Sequence, residues 1–121
     1  MRSLIPLLFV ATIGFAPAAS AQSPAPRPPA FATCAGCHST DPGKTVFGPS
    51  LAGVATRKAG SLPGYDYSPA MKKAKHSWNA ATLDRWLTSP ERMVPGTKMP
   101  FVGIADPATR KTVVDYLLTL R

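Results

Sequence analysis

Cys34 and Cys37 are the only cysteines in the chain, and His38, one of two histidines, follows the second of them directly. Two thiols three positions apart on one helical turn can each add to a vinyl group of a haem. The adjacent imidazole can then bind the iron through a neutral ring nitrogen. Other chemistries also use C-x-x-C. A zinc site normally takes four protein ligands, and beyond this cluster the chain offers only His76 and no second cysteine pair. A thiol–disulfide enzyme would set the pair in alternating strands and helices, and no such pattern surrounds it.

A haem iron bound by one histidine has a second axial position, and the thioether of methionine is a soft ligand that suits it. Met1 is the initiator, and Met71 and Met93 fall in expected helices. Met99 stands apart from any helical stripe, between the turn signal Pro95-Gly96 and Pro100. It is the candidate sixth ligand, 61 residues after His38. Metal-bound histidines usually donate their second N–H to an acceptor. The Pro49 carbonyl, 11 residues on, is one candidate, although Gly48-Pro49 also reads as an ordinary turn.

The elements that must position these groups are short helices. Pro29 suits a first helical turn, so a helix is expected over Ala30–Cys37, with Phe31 turned inward. Ser68-Pro69 begins a second, to Lys75, with Lys72, Lys73 and Lys75 on its wet side. His76 reads as a solvated histidine at that helix's end. Asn79 caps a third, whose Leu83, Trp86 and Leu87 recur at helical spacing. Ser89-Pro90 closes it, and Pro90–Val94 forms a further turn. Asp106-Pro107 opens the last helix, with Val113, Leu117 and Leu120 on one face and Val114 and Leu118 beside them. No strand pattern or internal repeat is present.

At 121 residues the chain forms one domain with a modest core, which a haem would enlarge. The net charge of +8 accompanies no basic helix stripe or aromatic platform of the nucleic-acid kind. It suits solubility and steering toward an acidic protein surface. Residues 1–21 read as a secretory signal peptide: Arg2, an apolar run from Leu4 to Phe15, then Ala19-Ser20-Ala21. An uncleaved membrane anchor is the alternative. Residues 22–29 hold four prolines and read as a disordered leader, so the folded domain is expected over 30–121.

Taken in order, Cys34-Ala35-Gly36-Cys37-His38, Gly48-Pro49-Ser50-Leu51, Arg57-Lys58-Ala59-Gly60, Pro63-Gly64-Tyr65-Asp66-Tyr67-Ser68, Trp78 and Pro95-Gly96-Thr97-Lys98-Met99-Pro100-Phe101 resemble the class I monohaem c-type cytochromes. That family includes mitochondrial cytochrome c and its soluble bacterial relatives. The resemblance spans roughly Phe31 to Leu120. It implies an all-α, small cytochrome c fold, with short helices and loops wrapped around one covalent haem c. It implies His38 and Met99 as axial ligands and Pro49 as the acceptor from His38. Tyr67 and Trp78 would hydrogen-bond a haem propionate, with Thr97 and Arg57 nearby. Trp86 falls where the family commonly has an aromatic residue, often tyrosine, near the methionine ligand. An indole N–H can only donate, so the potential should differ.

The function so implied is a periplasmic one-electron carrier, exported and monomeric. With both axial positions filled it would not be an enzyme. Its partners would be redox protein complexes such as a cytochrome bc complex, a terminal oxidase or a photosynthetic reaction centre. A haem peroxidase or sensor with a labile Met99 is the alternative, as is an anchored form of the same carrier. Two departures from the family are expected to matter. The proline run shortens the first helix, which should leave Val113, Tyr116 and Leu117 less well covered. Thr33, Glu91 and Asp106 stand where relatives carry docking lysines, while Lys98 and Arg92 are kept. The basic residues Arg57, Lys58, Lys72, Lys73 and Lys75 gather instead on the expected propionate side.

Overall fold

Among the described residues five α-helices form, three of them started by a side-chain cap, and a few long-range contacts order them. The computed structural model describes residues 14–20 and 23–121, so the expected signal segment falls largely outside them. The helices are α1 (Ala32–Ala35), α2 (Pro69–Lys73), α3 (Ala80–Thr88), α4 (Pro90–Met93) and α5 (Pro107–Thr119). Two 3₁₀ turns, Pro29–Phe31 and Val54–Thr56, complete the regular structure of the described residues. The Ser68 hydroxyl accepts the Met71 N–H at 3.1 Å to start α2. Asn79 Oδ1 accepts the Thr82 N–H at 2.9 Å, and Thr82 Oγ1 accepts the Asn79 N–H at 2.8 Å. This reciprocal capping box starts α3. Asp106 Oδ2 accepts the Thr109 N–H at 2.7 Å to start α5.

Three expected helices are shorter than their sequence pattern. The stretch from Ala30 begins as a 3₁₀ turn and is α-helical only over Ala32–Ala35. The turn before Val94 ends at Met93. The helix from Pro69 stops at Lys73, because Ala74 turns to extended backbone. That change feeds a two-stranded contact: Lys58 and Ser77 form an antiparallel bridge. The Ala59 N–H donates to the His76 carbonyl at 2.9 Å, and the Trp78 N–H to the Arg57 carbonyl at 3.1 Å. Gly60 closes this corner at φ +69°, where a Cβ would sit 2.7 Å from the Met71 carbonyl oxygen.

The core lies between α3 and α5. Leu83, Trp86 and Leu87 of α3 face Val113, Val114, Tyr116 and Leu117 of α5, all buried. Phe31 is fully buried and meets Tyr116 edge-on, with ring centroids 4.9 Å apart. Burying one such side chain contributes about 2–3 kcal/mol. The expected loss of cover over Val113, Tyr116 and Leu117 does not occur, as all three are at most 6% exposed. Phe31 supplies part of the cover. The proline-rich leader supplies more, since it is extended as its prolines require and is also docked. The Ala25 N–H donates to Thr119 Oγ1 at 3.0 Å, and Arg27 lies over the Phe31 ring at 5.3 Å.

Candidate functional site

The α1 turn holds the two thiols on one side of a cavity. The His38 N–H donates to the Cys34 carbonyl at 2.9 Å, which closes the turn and sets the imidazole beside the cysteines. Neither thiol is in a disulfide. Burial pushes the Cys34 thiol above its ordinary pKa, so it stays protonated at neutral pH. A protonated thiol is the form whose S–H adds across a vinyl C=C to leave a thioether.

His38 Nδ1 lies 2.8 Å from the Pro49 carbonyl oxygen. A carbonyl can only accept, so Nδ1 carries the proton and Nε2 keeps its lone pair. Burial lowers the His38 pKa, which favours the neutral ring, and the Pro49 bond opposes this in part. Gly48 makes the approach possible. A Cβ there would lie 2.5 Å from His38 Cε1 and 2.7 Å from Nδ1. The Gly48 N–H also donates to the Cys37 carbonyl at 2.8 Å, tying this loop to the cysteine turn.

All ten residues singled out in the sequence, Cys34, Cys37, His38, Pro49, Arg57, Tyr67, Trp78, Trp86, Thr97 and Met99, line one cavity of about 550 Å³. Leu51, Val54, Leu83, Leu87 and Leu117 add an apolar lining, so the cavity suits a large flat apolar group. Met99 sits in the segment between α4 and α5. The Thr97 N–H donates to the Val94 carbonyl at 3.0 Å, and the Gly96 N–H to Glu91 Oε1 at 3.1 Å. Beyond Met99, the Ile104 N–H donates to the Leu87 carbonyl at 2.7 Å.

A polar end faces this apolar lining. Arg57 donates to the Ala52 carbonyl at 2.7 Å and to that of Ser50. It is thus turned inward, and does not belong to an exposed basic cluster with its neighbours. Tyr67 Oη accepts the Leu62 N–H at 3.3 Å, and the Tyr67 ring meets Tyr65 edge-on at 4.7 Å. Among the described residues no protein acceptor takes the Tyr67 hydroxyl proton or the Trp78 indole N–H. Both donors therefore remain for an acceptor inside the cavity. Trp78 meets Trp86 edge-on at 5.4 Å. At the rim, Lys72 pairs with Asp66 at 3.0 Å, and Lys98 reaches the same residue while lying 5.0 Å from the Tyr65 ring centre.

Two positions escaped sequence reasoning. Met71, placed there on a helix and set aside, is buried and lines the same cavity. Which face of a five-residue helix looks inward depends on the Gly60 corner, and helical spacing carries no trace of that. His76 is half-buried, not solvated. Its ring meets Trp78 edge-on at 4.6 Å, and its Nε2 is buried without a hydrogen-bond partner. The zinc reading lacks ligands, since no three His, Cys, Asp or Glu side chains gather among the described residues.

The donor set fits a haem: two free thiols, an imidazole with Nε2 available, a thioether and a polar end to an apolar slot. Residues 29–121 match the family model for cytochrome c. The chain is 45% identical over 96 residues to cytochrome c2 iso-2 of Magnetospirillum fulvum, covering 79% of this chain and all of that one. It is 40% identical over 116 residues to cytochrome c2 of Rhodomicrobium vannielii, covering 95% and 93% of the two. Among solved structures, cytochrome cH from Methylobacterium extorquens is similar, with a TM-score of 0.70 and 45% identity. That match covers 74% of this chain and 91% of that one.

Proposed function

The chain belongs to the cytochrome c family, whose members carry one covalent haem c, and from that premise we propose an exported one-electron carrier with His38 and Met99 as axial ligands. It is an electron carrier and not an enzyme. When bound, the haem supplies an iron that cycles between two oxidation states. Everything else is the work of this chain's residues. Cys34 and Cys37 attach the group through thioethers. Pro49 orients His38 and fixes its tautomer, leaving Nε2 for the iron. Met99 would give the iron a soft donor, which raises the potential. Tyr67 and Trp78 would offer their free donors to a propionate, with Arg57 and Thr97 on the same cavity wall. The leucines and Trp86 keep water out.

The observation that carries this reading is the convergence of Cys34, Cys37, His38 and Met99 on a single apolar cavity. The partners are redox protein complexes with acidic docking patches. Export rests on the N-terminal sequence pattern, and among the described residues no helix is long and apolar enough to cross a membrane. The test is a mass measurement on the protein recovered from the periplasm, followed by spectra during a redox titration. A mass increase of one haem that survives denaturation is expected, with an iron–methionine band near the red end in the oxidised form. An unmodified mass, or a potential well below zero, overturns the assignment.

A further inference from the structure

His76 is a half-buried titratable group that the haem site does not use. Its Nε2 is enclosed without a hydrogen-bond partner, and its ring packs edge-on against Trp78 at 4.6 Å. Trp78 is itself a wall of the cavity, whereas His76 is not. One aromatic ring therefore separates this imidazole from the bound group. Backbone pairing keeps it there: the His76 carbonyl accepts the Ala59 N–H at 2.9 Å, and the next residue, Ser77, bridges to Lys58.

Resting on the haem-carrier reading, we propose that His76 is a positioning residue for electron transfer, whose protonation, acting across Trp78, raises the affinity of the cavity for an electron. A charge on the imidazole would act on the cavity across one aromatic ring, which screens it less than bulk water does. Arg85 of α3 acts on His76 electrostatically, and Lys58, bridged to Ser77, and Lys75, next in sequence, are also cationic, while a propionate held by Trp78 would be the anion facing the ring across the indole. These three side chains oppose a proton on His76. Burial first, and Arg85 second, pull its pKa below the ordinary histidine value. At neutral pH the ring is therefore neutral, with a vacant site for a proton.

The coupling is reciprocal by thermodynamic necessity. If a proton on His76 favours the electron, an electron in the cavity favours the proton. Reduction then draws a proton from water onto the imidazole over the pH range in which it titrates, and oxidation returns that proton to water.

With only two histidines in the chain, and His38 engaged by iron, His76 is the single free imidazole of the loaded protein. Its ring protons can be followed by NMR against pH in both oxidation states, alongside the potential of wild type, His76→Gln and His76→Asn. The pKa of His76 should be higher in the reduced protein than in the oxidised one. The wild-type potential should fall as pH rises through that interval, and both variants should lose this component while keeping any slope due to the propionates. Equal pKa values in the two states, or unchanged slopes in the variants, would overturn the proposal. Failure of the haem reading looks different, since there would then be no covalent haem to titrate.

Discussion

Arg110 Nε lies 2.7 Å from Asp84 Oδ1, joining the middle of α3 to the first turns of α5. The guanidinium also donates to the Ile104 carbonyl at 2.9 Å and to the Ala105 carbonyl at 3.2 Å. One nearly buried side chain thus holds both helices and the downstream end of the Met99 segment.

Replacing it with leucine would strand the two carbonyls and Asp84. Arg110→Leu is expected to cost about 2 kcal/mol in stability, measured by denaturant unfolding of the loaded protein. Because the Met99 segment loosens with it, the iron–methionine band should also weaken. Arg110→Lys, which keeps the charge but not the fork, should recover part of the stability.

Gly48 sets a narrower limit. In Gly48→Ala the new methyl meets the His38 ring at 2.5 Å, so either the ring or the loop must move. The expected outcome is a loss of about 1–3 kcal/mol, the usual cost of overpacking. The bond from Nδ1 to Pro49 should lengthen, and because a weaker bond leaves the imidazole a poorer donor to the oxidised iron, the potential should rise. A potential equal to that of wild type would show that the ring has room to spare.

Phe31 tests how the shortened N-terminal helix is compensated. Phe31→Ala empties a fully buried site beside Tyr116, and should cost about 3–5 kcal/mol. Thr119→Val removes the acceptor for Ala25 and a donor to the Tyr116 carbonyl, which keeps its helical bonding, and should cost about 1 kcal/mol. If the leader adds nothing, a chain beginning at Pro28 would be as stable as one beginning at Gln22.

Asp106 gives a pH dependence with a definite sign. Its carboxylate is held below the usual pKa by the Thr109 side chain and N–H. A carboxylate whose folded pKa is depressed contributes stability above its unfolded pKa, and loses it as pH falls through the folded value. Thermal unfolding followed into acid should show this loss in wild type. Asp106→Asn, whose amide oxygen still caps but does not titrate, should lose less over the same interval.

The attachment motif and the helix starts were legible because each is local chemistry. Ser68, Asn79 and Asp106 all cap as their residue types require. Met99 was legible for the opposite reason, as a thioether outside any periodic stripe. Helix ends were less so. The sequence after Lys73 permits two more helical residues, and it is the distant segment Arg57–Ala59 that claims Ser77 and Trp78 for pairing. The same long-range pairing encloses one edge of His76 and turns Met71 into the cavity. Neither fate is written in the residues beside them.

The bond between Ala25 and Thr119 gives the molecule a mechanical polarity. A pull on the N-terminus, from a tether, a fused domain or an unfolding machine, does not reach the cysteine turn first. It is borne by the last turn of α5, the helix that forms one face of the core, and only once that contact yields does the load pass through Phe31 to the attachment site.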